Sequence, residues 1–249
     1  MDVFLRASMA EPVDWLRGFA RYEDGYISID KPERFQPMAH RGMVFDLAHV
    51  TTPAEAVEFA SRFGLLWHGP ESEALKERFE DWESEATTLR VLLRLLVAIQ
   101  DGIAGEPEAL DELRTTWRDF MAKHFEAPAE SDGELLTAAS VLVSWIVNEK
   151  LAGMEHGMTA ACQWEGQARG VRGEPGVWRL QPRPKNLLGF IYYELALSIV
   201  EGFHARICEG CRTAFRVVDQ RQRFCSATCA NRARYRRWSE KKKSHPASN

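Results

Sequence analysis

The chain has 249 residues, of which 45% are hydrophobic and 27% are charged, an ordinary balance for a globular protein. This length can bury a sizeable core, either in one large domain or in a main domain with an appendage. The longest apolar run, residues 91–99, is interrupted by Arg94, and charged residues follow Met1 closely. The composition excludes wholesale disorder, and we expect neither a membrane span nor a secretory signal, which favours a cytoplasmic protein.

The net charge of −4 is distributed unevenly along the chain. Residues 206–249 contain nine arginines and three lysines against three acidic residues, about +9, which leaves about −13 on the residues before them. Clustered positive charge is typical of a surface that binds a polyanion, and the acidic body would orient the basic end towards it. The alternative is a solvated basic tail with no single partner.

The first 150 residues predict one clear strand and then a series of helices. Gly25–Asp30 alternates polar and apolar side chains, as a half-buried strand does. Thr52, followed by Pro53 and Glu55, predicts the start of a helix that continues to about Trp67. Helical spacing of apolar residues predicts three further helical segments, at residues 71–102, 107–125 and 132–151. The first of these is either one helix or two helices that break near residues 87–88.

Residues 153–184 interrupt the helical pattern with six glycines. Two candidate strands, Thr159–Trp164 and Val177–Leu180, flank a turn sequence at residues 174–176 and predict a hairpin. Asn186–Phe203 is helical again and leads into the C-terminal cysteines without a Gly/Ser-rich linker. We therefore expect the cysteine-containing module to be docked against the helical body.

Four of the five cysteines lie close together near the C-terminus. They form the pattern C-x2-C, thirteen intervening residues and C-x3-C, at Cys208, Cys211, Cys225 and Cys229. Four thiolates at these spacings suit tetrahedral Zn²⁺ and leave no coordination position open for a substrate. The sequence therefore predicts a structural zinc site in a reducing compartment rather than a disulfide framework.

The first cysteine pair predicts a zinc knuckle. Gly210 is expected to relieve backbone strain in the turn Cys208–Cys211. Residues 213–218 predict a strand and residues 223–224 a short return strand. Two aromatic side chains are available to pack under the metal, Phe215 and Phe224. So small a core cannot fold alone, and zinc is expected to stabilise it by roughly 10–16 kcal/mol.

The second cysteine pair predicts the start of a basic helix, because the i, i+4 spacing brings both sulfurs to one face. At about 100° per residue, Ala233 and Arg236 then lie near the zinc side. Four residues occupy the opposite face or its flank and are expected to contact bases: Asn231, Arg234, Tyr235 and Trp238. The remaining candidate nucleic-acid contacts are Arg232, Arg236, Arg237, Lys241, Lys242 and Lys243. The alternative for Tyr235 and Trp238 is that they pack back against the helical body.

Residues 206–237 resemble a known family. The pattern R-x-C-x2-C, a following aromatic residue and valine pair, and F-C-S-x-x-C-x-N-R-x-x-x-R-R are similar to the bacterial CGNR zinc finger. That finger closes a family of stress-induced transcription regulators with an ABATE-type N-terminal domain, and residues 42–49 resemble part of that domain. Ala230 replaces the glycine of the family motif. The resemblance implies a treble-clef-like finger that binds DNA.

Other chemistry finds little support in the sequence. The histidines His40, His49, His68, His124 and His156 show no metal-ligand spacing. There is no P-loop, no G-x-S-x-G motif and no dinucleotide fingerprint. The fifth cysteine, Cys162, follows two alanines and is expected to be a buried structural thiol rather than a nucleophile. We therefore expect a protein that is not an enzyme.

The sequence leads to one main interpretation and two alternatives. The fold class is mainly α with a minor α+β character: a helical domain over residues 1–204, a zinc finger over 205–243 and a flexible tail over 244–249. The expected function is zinc-dependent DNA binding by a transcription regulator whose body senses a small-molecule effector or forms a homodimer. The alternatives are an RNA-binding factor, with Tyr235 and Trp238 as stacking platforms, and a protein-docking module that uses the basic finger.

Overall fold

The structure, a computed structural model, divides by its contacts into two compact units, each assembled from three separate segments. Unit 1 comprises residues 1–41, 52–82 and 147–195, and unit 2 comprises residues 42–51, 83–146 and 196–249. Within these ranges the structure describes residues 15–35, 40–68, 75–103, 111, 113–115, 132–152, 158–165, 177–202 and 204–244, without the side chains of 103, 132, 158–183 and 240–244. The described part is mainly helical with a few short strands, which confirms the mainly α character with minor β of the predicted fold class.

Unit 1 contains a three-stranded antiparallel sheet in the order β1-β2-β3. Its strands are β1 (Trp15–Glu23), β2 (Tyr26–Phe35) and β3 (Lys76–Arg78). The predicted strand at residues 25–30 is confirmed, but β2 continues to Phe35 and pairs with Trp15 at the far end of β1. Pro32 lies within the strand and does not end it.

Two short helices lie between β2 and β3 in the chain, α1 (Met43–Ala48) in unit 2 and α2 (Pro53–Phe63) in unit 1. The predicted start of α2 is confirmed: the Glu55 amide donates to Thr52 Oγ1 at 3.3 Å, and the Thr52 amide donates to Glu55 Oε2 at 3.0 Å. The helix ends at Phe63 rather than near Trp67. Gly64 follows with a φ of 97°, and a Cβ at that position would lie 2.2 Å from the Leu16 carbonyl oxygen.

Helix α3 (Phe79–Ile103) runs without a break for 25 residues, so the single-helix alternative is correct. The helix was predicted to begin at residue 71, but residues 76–78 form β3 instead, and residues 71–74 lie outside the described part. The helix predicted at 107–125 lies largely outside the described residues, although residues 111 and 113–115 are helical. Helix α4 (Asp132–Ala152) confirms the fourth predicted helix.

By length and composition alone, the Gly133–Ala152 part of α4 is apolar enough to cross a membrane. We expected no membrane span from the sequence, because the longest apolar run, residues 91–99, is interrupted by Arg94. Of the apolar window in α4, 28% is buried, and a single such helix is weak evidence for a membrane span, because core helices can meet the same criterion. The buried residues of α4 are Leu135, Ala139, Leu142, Val143 and Val147.

The predicted hairpin is confirmed as strands β4 (Met158–Glu165) and β5 (Val177–Pro184), which pair antiparallel. Cys162 stands opposite Leu180, and both side chains lie outside the described part, as does the turn at 166–176. Helix α5 (Leu187–Gly202) follows, and the Asn186 side chain accepts a hydrogen bond from the Gly189 amide at 2.8 Å. This cap fixes the helix start at the predicted residue.

A buried carboxylate, Glu77 on β3, holds part of unit 1 together. It is 5% exposed, and its Oε2 accepts from the Leu66 amide at 2.9 Å and from Trp82 Nε1 at 2.8 Å. Its Oε1 accepts from the Trp67 amide at 2.6 Å, and from the His68 amide at 3.1 Å and Nδ1 at 2.8 Å. Protein donors therefore compensate the cost of burying this charge.

In unit 2, helix α1 is almost fully buried, with Met43, Val44, Leu47 and Ala48 each at 1% exposure or less. The Arg90 guanidinium of α3 donates to the carbonyl oxygens of Ala48, at 2.9 Å, and Val50, at 3.0 Å. These bonds satisfy carbonyl groups at the C-terminal end of α1. They attach α1 to α3 within the unit that also contains the four C-terminal cysteines.

Candidate metal centre

The first two cysteines lie at the tip of a small hairpin in unit 2. Strands β6 (Ala205–Ile207) and β7 (Ala214–Arg216) pair antiparallel, and Cys208 and Cys211 lie in the turn between them. The Cys208 amide donates to the Thr213 carbonyl at 3.0 Å, and the Arg212 amide donates to the Cys208 carbonyl at 2.9 Å. The predicted pairing of residues 213–218 with 223–224 is wrong. The partner of β7 is β6, the strand before the knuckle, and the Arg223 carbonyl instead accepts a hydrogen bond from the Glu209 amide at 3.2 Å.

The second pair lies at the start of helix α6 (Ala227–Ser244), as predicted. Ser226 precedes the helix, and its hydroxyl accepts a hydrogen bond from the Cys229 amide at 3.2 Å. This bond is a helix N-cap. It places Cys229 in the first helical turn and Cys225 immediately before the helix.

The four sulfurs converge on one point. All four Sγ atoms lie within 4.8 Å of one another. The Cys211 and Cys225 sulfurs are 3.7 Å apart, and those of Cys225 and Cys229 are 3.5 Å apart. A Zn–S bond of about 2.3 Å in a tetrahedral site requires sulfurs about 3.8 Å apart, so the donor set fits a tetrahedral metal ion. The predicted ligand set is thus brought together and can hold a metal such as zinc.

Backbone amides and burial act on the thiols in opposite directions. Burial alone would raise the pKa of Cys208, but N–H groups of Cys225, Cys211 and Gly210 lower it to about 7. Burial raises the pKa of Cys211 and of Cys225, and the neighbouring thiols raise that of Cys225 further. The protein on its own therefore favours one thiolate and disfavours two others, and a bound cation would supply the missing stabilisation.

Gly210 has a different role from the one predicted. Its φ is not in the left-handed region, whereas that of Arg212 is, at 63°. A Cβ on Gly210 would lie 3.0 Å from the Cys229 Cβ and 3.2 Å from the Cys229 carbonyl oxygen. The glycine is needed because the knuckle passes close to the first turn of α6.

A small apolar cluster surrounds the sulfurs. Cys208, Cys229 and Phe215 are buried, and Phe224 and Val217 pack against them, which confirms both predicted aromatic residues. Strand β7 also contacts α1 within unit 2. The expectation that the module is docked on the helical body is therefore confirmed for this helix.

Helix α6 buries one side and exposes the other. Cys229 and Ala233 are 8% and 4% exposed, whereas Tyr235 and Trp238 are 69% and 56% exposed. The two rings contact each other, with centroids 5.8 Å apart and planes at 36°. Such exposure contradicts the alternative that both rings pack against the body. The other predicted contacts whose side chains are described are all exposed: Asn231, Arg232, Arg234, Arg236 and Arg237. Residues 241–243 continue the helix, but their side chains lie outside the described part.

Little negative charge faces these arginines in the described part of the finger. Glu209 forms an ion pair with Arg223. Asp219 accepts a hydrogen bond from the Arg221 amide at 2.8 Å, within its own turn. The described arginines of α6 are themselves exposed.

The described histidines take part in local contacts in place of metal ligation. His49 Nδ1 donates to the Phe45 carbonyl at 2.7 Å, and His68 lies against Glu77. His40 packs between the rings of Phe35 and Phe63. His124 and His156 lie outside the described residues. Glu77 was not predicted from the sequence, because its neighbours Lys76 and Arg78 are also charged and nothing local marks it as buried.

Comparison with models of protein families, with curated proteins and with solved structures finds no match to this chain. Fold and site define only a class: a mainly helical protein whose C-terminal region carries a four-cysteine cluster able to bind a metal ion.

Proposed function

We propose that this chain is a zinc-dependent DNA-binding protein, a transcription regulator whose basic C-terminal helix contacts the duplex. One observation carries the proposal: the four-sulfur cluster fixes the start of α6, and the face of α6 that points away from the cluster is exposed and basic. The CGNR resemblance of residues 206–237 supports the same assignment. That the chain belongs to the CGNR family is likewise part of the proposal.

Zinc would have a structural role at this site. Four thiolates complete a tetrahedral shell, so no position remains for water or substrate. The order of a knuckle hairpin followed by a helix that carries the second cysteine pair is that of a treble-clef-like finger. The buried cluster around Phe215 is small. The metal therefore contributes most of the stability of the finger, roughly 10–16 kcal/mol for sites of this kind.

The direction of each side chain on α6 divides the contacts into two groups. Asn231, Arg234 and Trp238 lie about 140–200° around the helix from Cys229 at 100° per residue. An exposed amide and guanidinium on this face can read base edges in the major groove, where they make paired hydrogen bonds to adenine and guanine. The exposed rings of Tyr235 and Trp238 add apolar surface beside them.

The other arginines of α6 lie outside that face, with Arg236 near the zinc side, and together with the lysines they are suited to phosphate. Arg232, Arg236 and Arg237 are exposed, and Lys241–Lys243 extend the same helix. Contacts to phosphate position the protein and give binding its salt dependence, but they carry no sequence information. We assign the body of this cytoplasmic protein to sensing a small-molecule effector or to homodimerisation.

Selection from a random duplex library tests the proposal. The full-length, zinc-loaded protein is used at near-physiological salt with single-stranded RNA as competitor. An enriched motif that resists the competitor supports a sequence-specific DNA regulator, and its symmetry reports whether two copies bind. Full displacement by RNA contradicts the proposal and favours an RNA-binding factor. Absence of any nucleic-acid binding in moderate salt favours a protein-docking module.

The RNA alternative is favoured by one observation. Tyr235 and Trp238 are both more than half exposed, and exposed aromatic rings on a basic surface are typical stacking platforms for unpaired bases. Replacing both rings with leucine distinguishes the two cases. Binding to single strands would fall sharply, whereas duplex binding through Arg234 and Asn231 would be largely retained.

A further inference from the structure

Cys211 differs from the other three cysteines of the cluster in its access to solvent. Cys208 and Cys229 are buried, at 0% and 8% exposure, and Cys225 is half-buried. Cys211 is exposed. Its sulfur lies 3.7 Å from that of Cys225. A small solute can therefore reach one ligand, and a second ligand lies beside it.

We propose that Cys211 and Cys225 form an oxidation site, at which a hydroperoxide converts two zinc-binding thiolates into a disulfide and thereby releases the metal. The inference rests on the zinc assignment of the proposed function and is independent of the nucleic-acid partner. The reactive solute is hydrogen peroxide or an alkyl hydroperoxide.

The surroundings of the four sulfurs favour this pair. The Cys208 sulfur accepts hydrogen bonds from the N–H groups of Gly210 and Cys225, both at 3.4 Å, and Cys208 is fully buried. Cys229 is fixed in the first turn of α6 by the Ser226 cap, although its sulfur is 3.5 Å from that of Cys225. Cys211 lies in a turn and Cys225 lies before the helix. An S–S bond of about 2.05 Å then requires the two sulfurs to approach by about 1.7 Å.

The oxidation balances with hydrogen peroxide as the only oxidant. The Cys211 thiolate attacks the O–O bond, which gives a sulfenic acid and a hydroxide ion that takes up a proton to become water. The Cys225 thiolate attacks the sulfenic sulfur, forms the S–S bond and expels a second hydroxide, which is likewise protonated. The two sulfurs together lose two electrons, and the peroxide is reduced to two waters.

Loss of two ligands would disassemble the module. Cys208 and Cys229 alone make an incomplete shell, from which the metal dissociates. The apolar cluster left behind consists of few side chains around Phe215. The hairpin and the start of α6 would lose their fixed arrangement, so an oxidant would act on the surface that the basic helix presents.

The experiment uses the full-length, zinc-loaded protein in a Cys162→Ser background, which removes the fifth thiol. Hydrogen peroxide is added, zinc release is followed with a chromogenic chelator, and the disulfide is mapped by mass spectrometry of the peptides. The expected result is release of one zinc per chain with a Cys211–Cys225 disulfide, and recovery after reduction with dithiothreitol and added zinc.

Two variants separate the exposed ligand from a buried one. Cys211→His keeps four ligands and is expected to slow zinc release about tenfold or more, because the accessible thiolate is gone. Cys208→His removes a buried thiolate and is expected to release zinc at close to the parent rate. If Cys208→His fails to fold, the disulfide map of the parent protein shows which cysteines are oxidised.

Three outcomes would overturn the oxidation site. These are retention of zinc in excess peroxide, a disulfide that omits Cys211, and release from Cys211→His at the parent rate. Zinc release as expected, combined with failure of the duplex selection, would contradict the DNA-binding function and leave the oxidation site in place. Successful duplex selection with a finger that keeps its zinc in peroxide would contradict the oxidation site and leave the DNA-binding function in place.

Discussion

Two polar clusters in this molecule show how differently a fold can stabilise buried charge. In unit 1, the Glu77 carboxylate is surrounded by five N–H donors that the protein itself supplies. In unit 2, four sulfurs converge within 4.8 Å, and N–H groups at 3.4 Å are directed at Cys208. The carboxylate is already paired, whereas the four sulfurs form a ligand set that can hold a metal ion.

The comparison shows where an external partner is required. A carboxylate that accepts five hydrogen bonds has its charge compensated within the fold, and it serves structure. Burial raises the pKa of Cys211 and of Cys225, which favours their protonated forms, and a bound metal would displace those protons. The finger should therefore depend on metal and the Glu77 region should not.

Removal of one ligand gives the largest expected effect. Cys225→Ser should abolish zinc binding and unfold the finger, because the metal contributes roughly 10–16 kcal/mol to such modules. Zinc content and far-UV circular dichroism would show a metal-free protein with a helical body. Cys162→Ser, outside the cluster, is the control and should retain one zinc. Full zinc content with unchanged thermal unfolding in Cys225→Ser would contradict the four-cysteine assignment.

Loss of the buried carboxylate gives the next largest effect. Glu77→Gln should lower the free energy of unfolding by about 3 kcal/mol, because an amide NH₂ would face donors that now have no acceptor. Glu80→Gln is the matched control: that carboxylate is exposed, and its ion pair with Arg78 is expected to contribute less than about 1 kcal/mol. Denaturant unfolding measures both variants. A loss of zinc from Glu77→Gln, or an equal effect of the two substitutions, would contradict the comparison.

Charge removal at the end of α6 tests the partner of the finger and leaves its fold intact. Replacing Lys241, Lys242 and Lys243 with glutamine should weaken binding to all duplexes alike. The slope of log K against log salt should become shallower by about 0.9 for each phosphate that the variant no longer neutralises. Titrations at several salt concentrations measure the slope. Weaker binding to one sequence alone would mean that the base and phosphate roles are reversed.

Substitution of Gly210, whose backbone lies close to Cys229, gives the smallest expected effect. Gly210→Ala adds a Cβ that would lie 3.0 Å from the Cys229 Cβ, so the helix start must shift, and we expect a cost of about 1 kcal/mol in zinc affinity. Competition with a zinc chelator measures it. Gly133→Ala is the control, since a Cβ there meets nothing within 4 Å. Equal zinc affinity for the parent and Gly210→Ala would show that the turn Cys208–Cys211 can accommodate a Cβ at position 210.

Local chemistry made part of this structure predictable. The Thr52–Glu55 capping box, the start of α5 at Asn186 and the four zinc ligands are short-range signals, and the structure confirms the two helix starts and brings the four cysteines together. The helical span at 79–103 also follows from local periodicity. Each of these depends on residues close together in the chain.

The rest depended on partners distant in sequence. Residues 76–78 were predicted as helix because the helical spacing of apolar residues extends through them, but they pair with β2, about fifty residues earlier. Glu77 acquires its role only when the segment 66–68 folds over it. In the finger, β7 pairs with β6 across the knuckle, and Gly210 is needed because Cys229 comes to lie beside it. Tertiary contacts decided these features, and local propensity did not.

The most direct test of the account is duplex binding by the full-length protein before chelation, after chelation and after zinc is restored. The account predicts that binding is lost with the metal and returns with it, while the helical content of the body stays constant. Binding that persists in the metal-free protein, or that is absent from the fully loaded one, would contradict zinc-dependent recognition by α6.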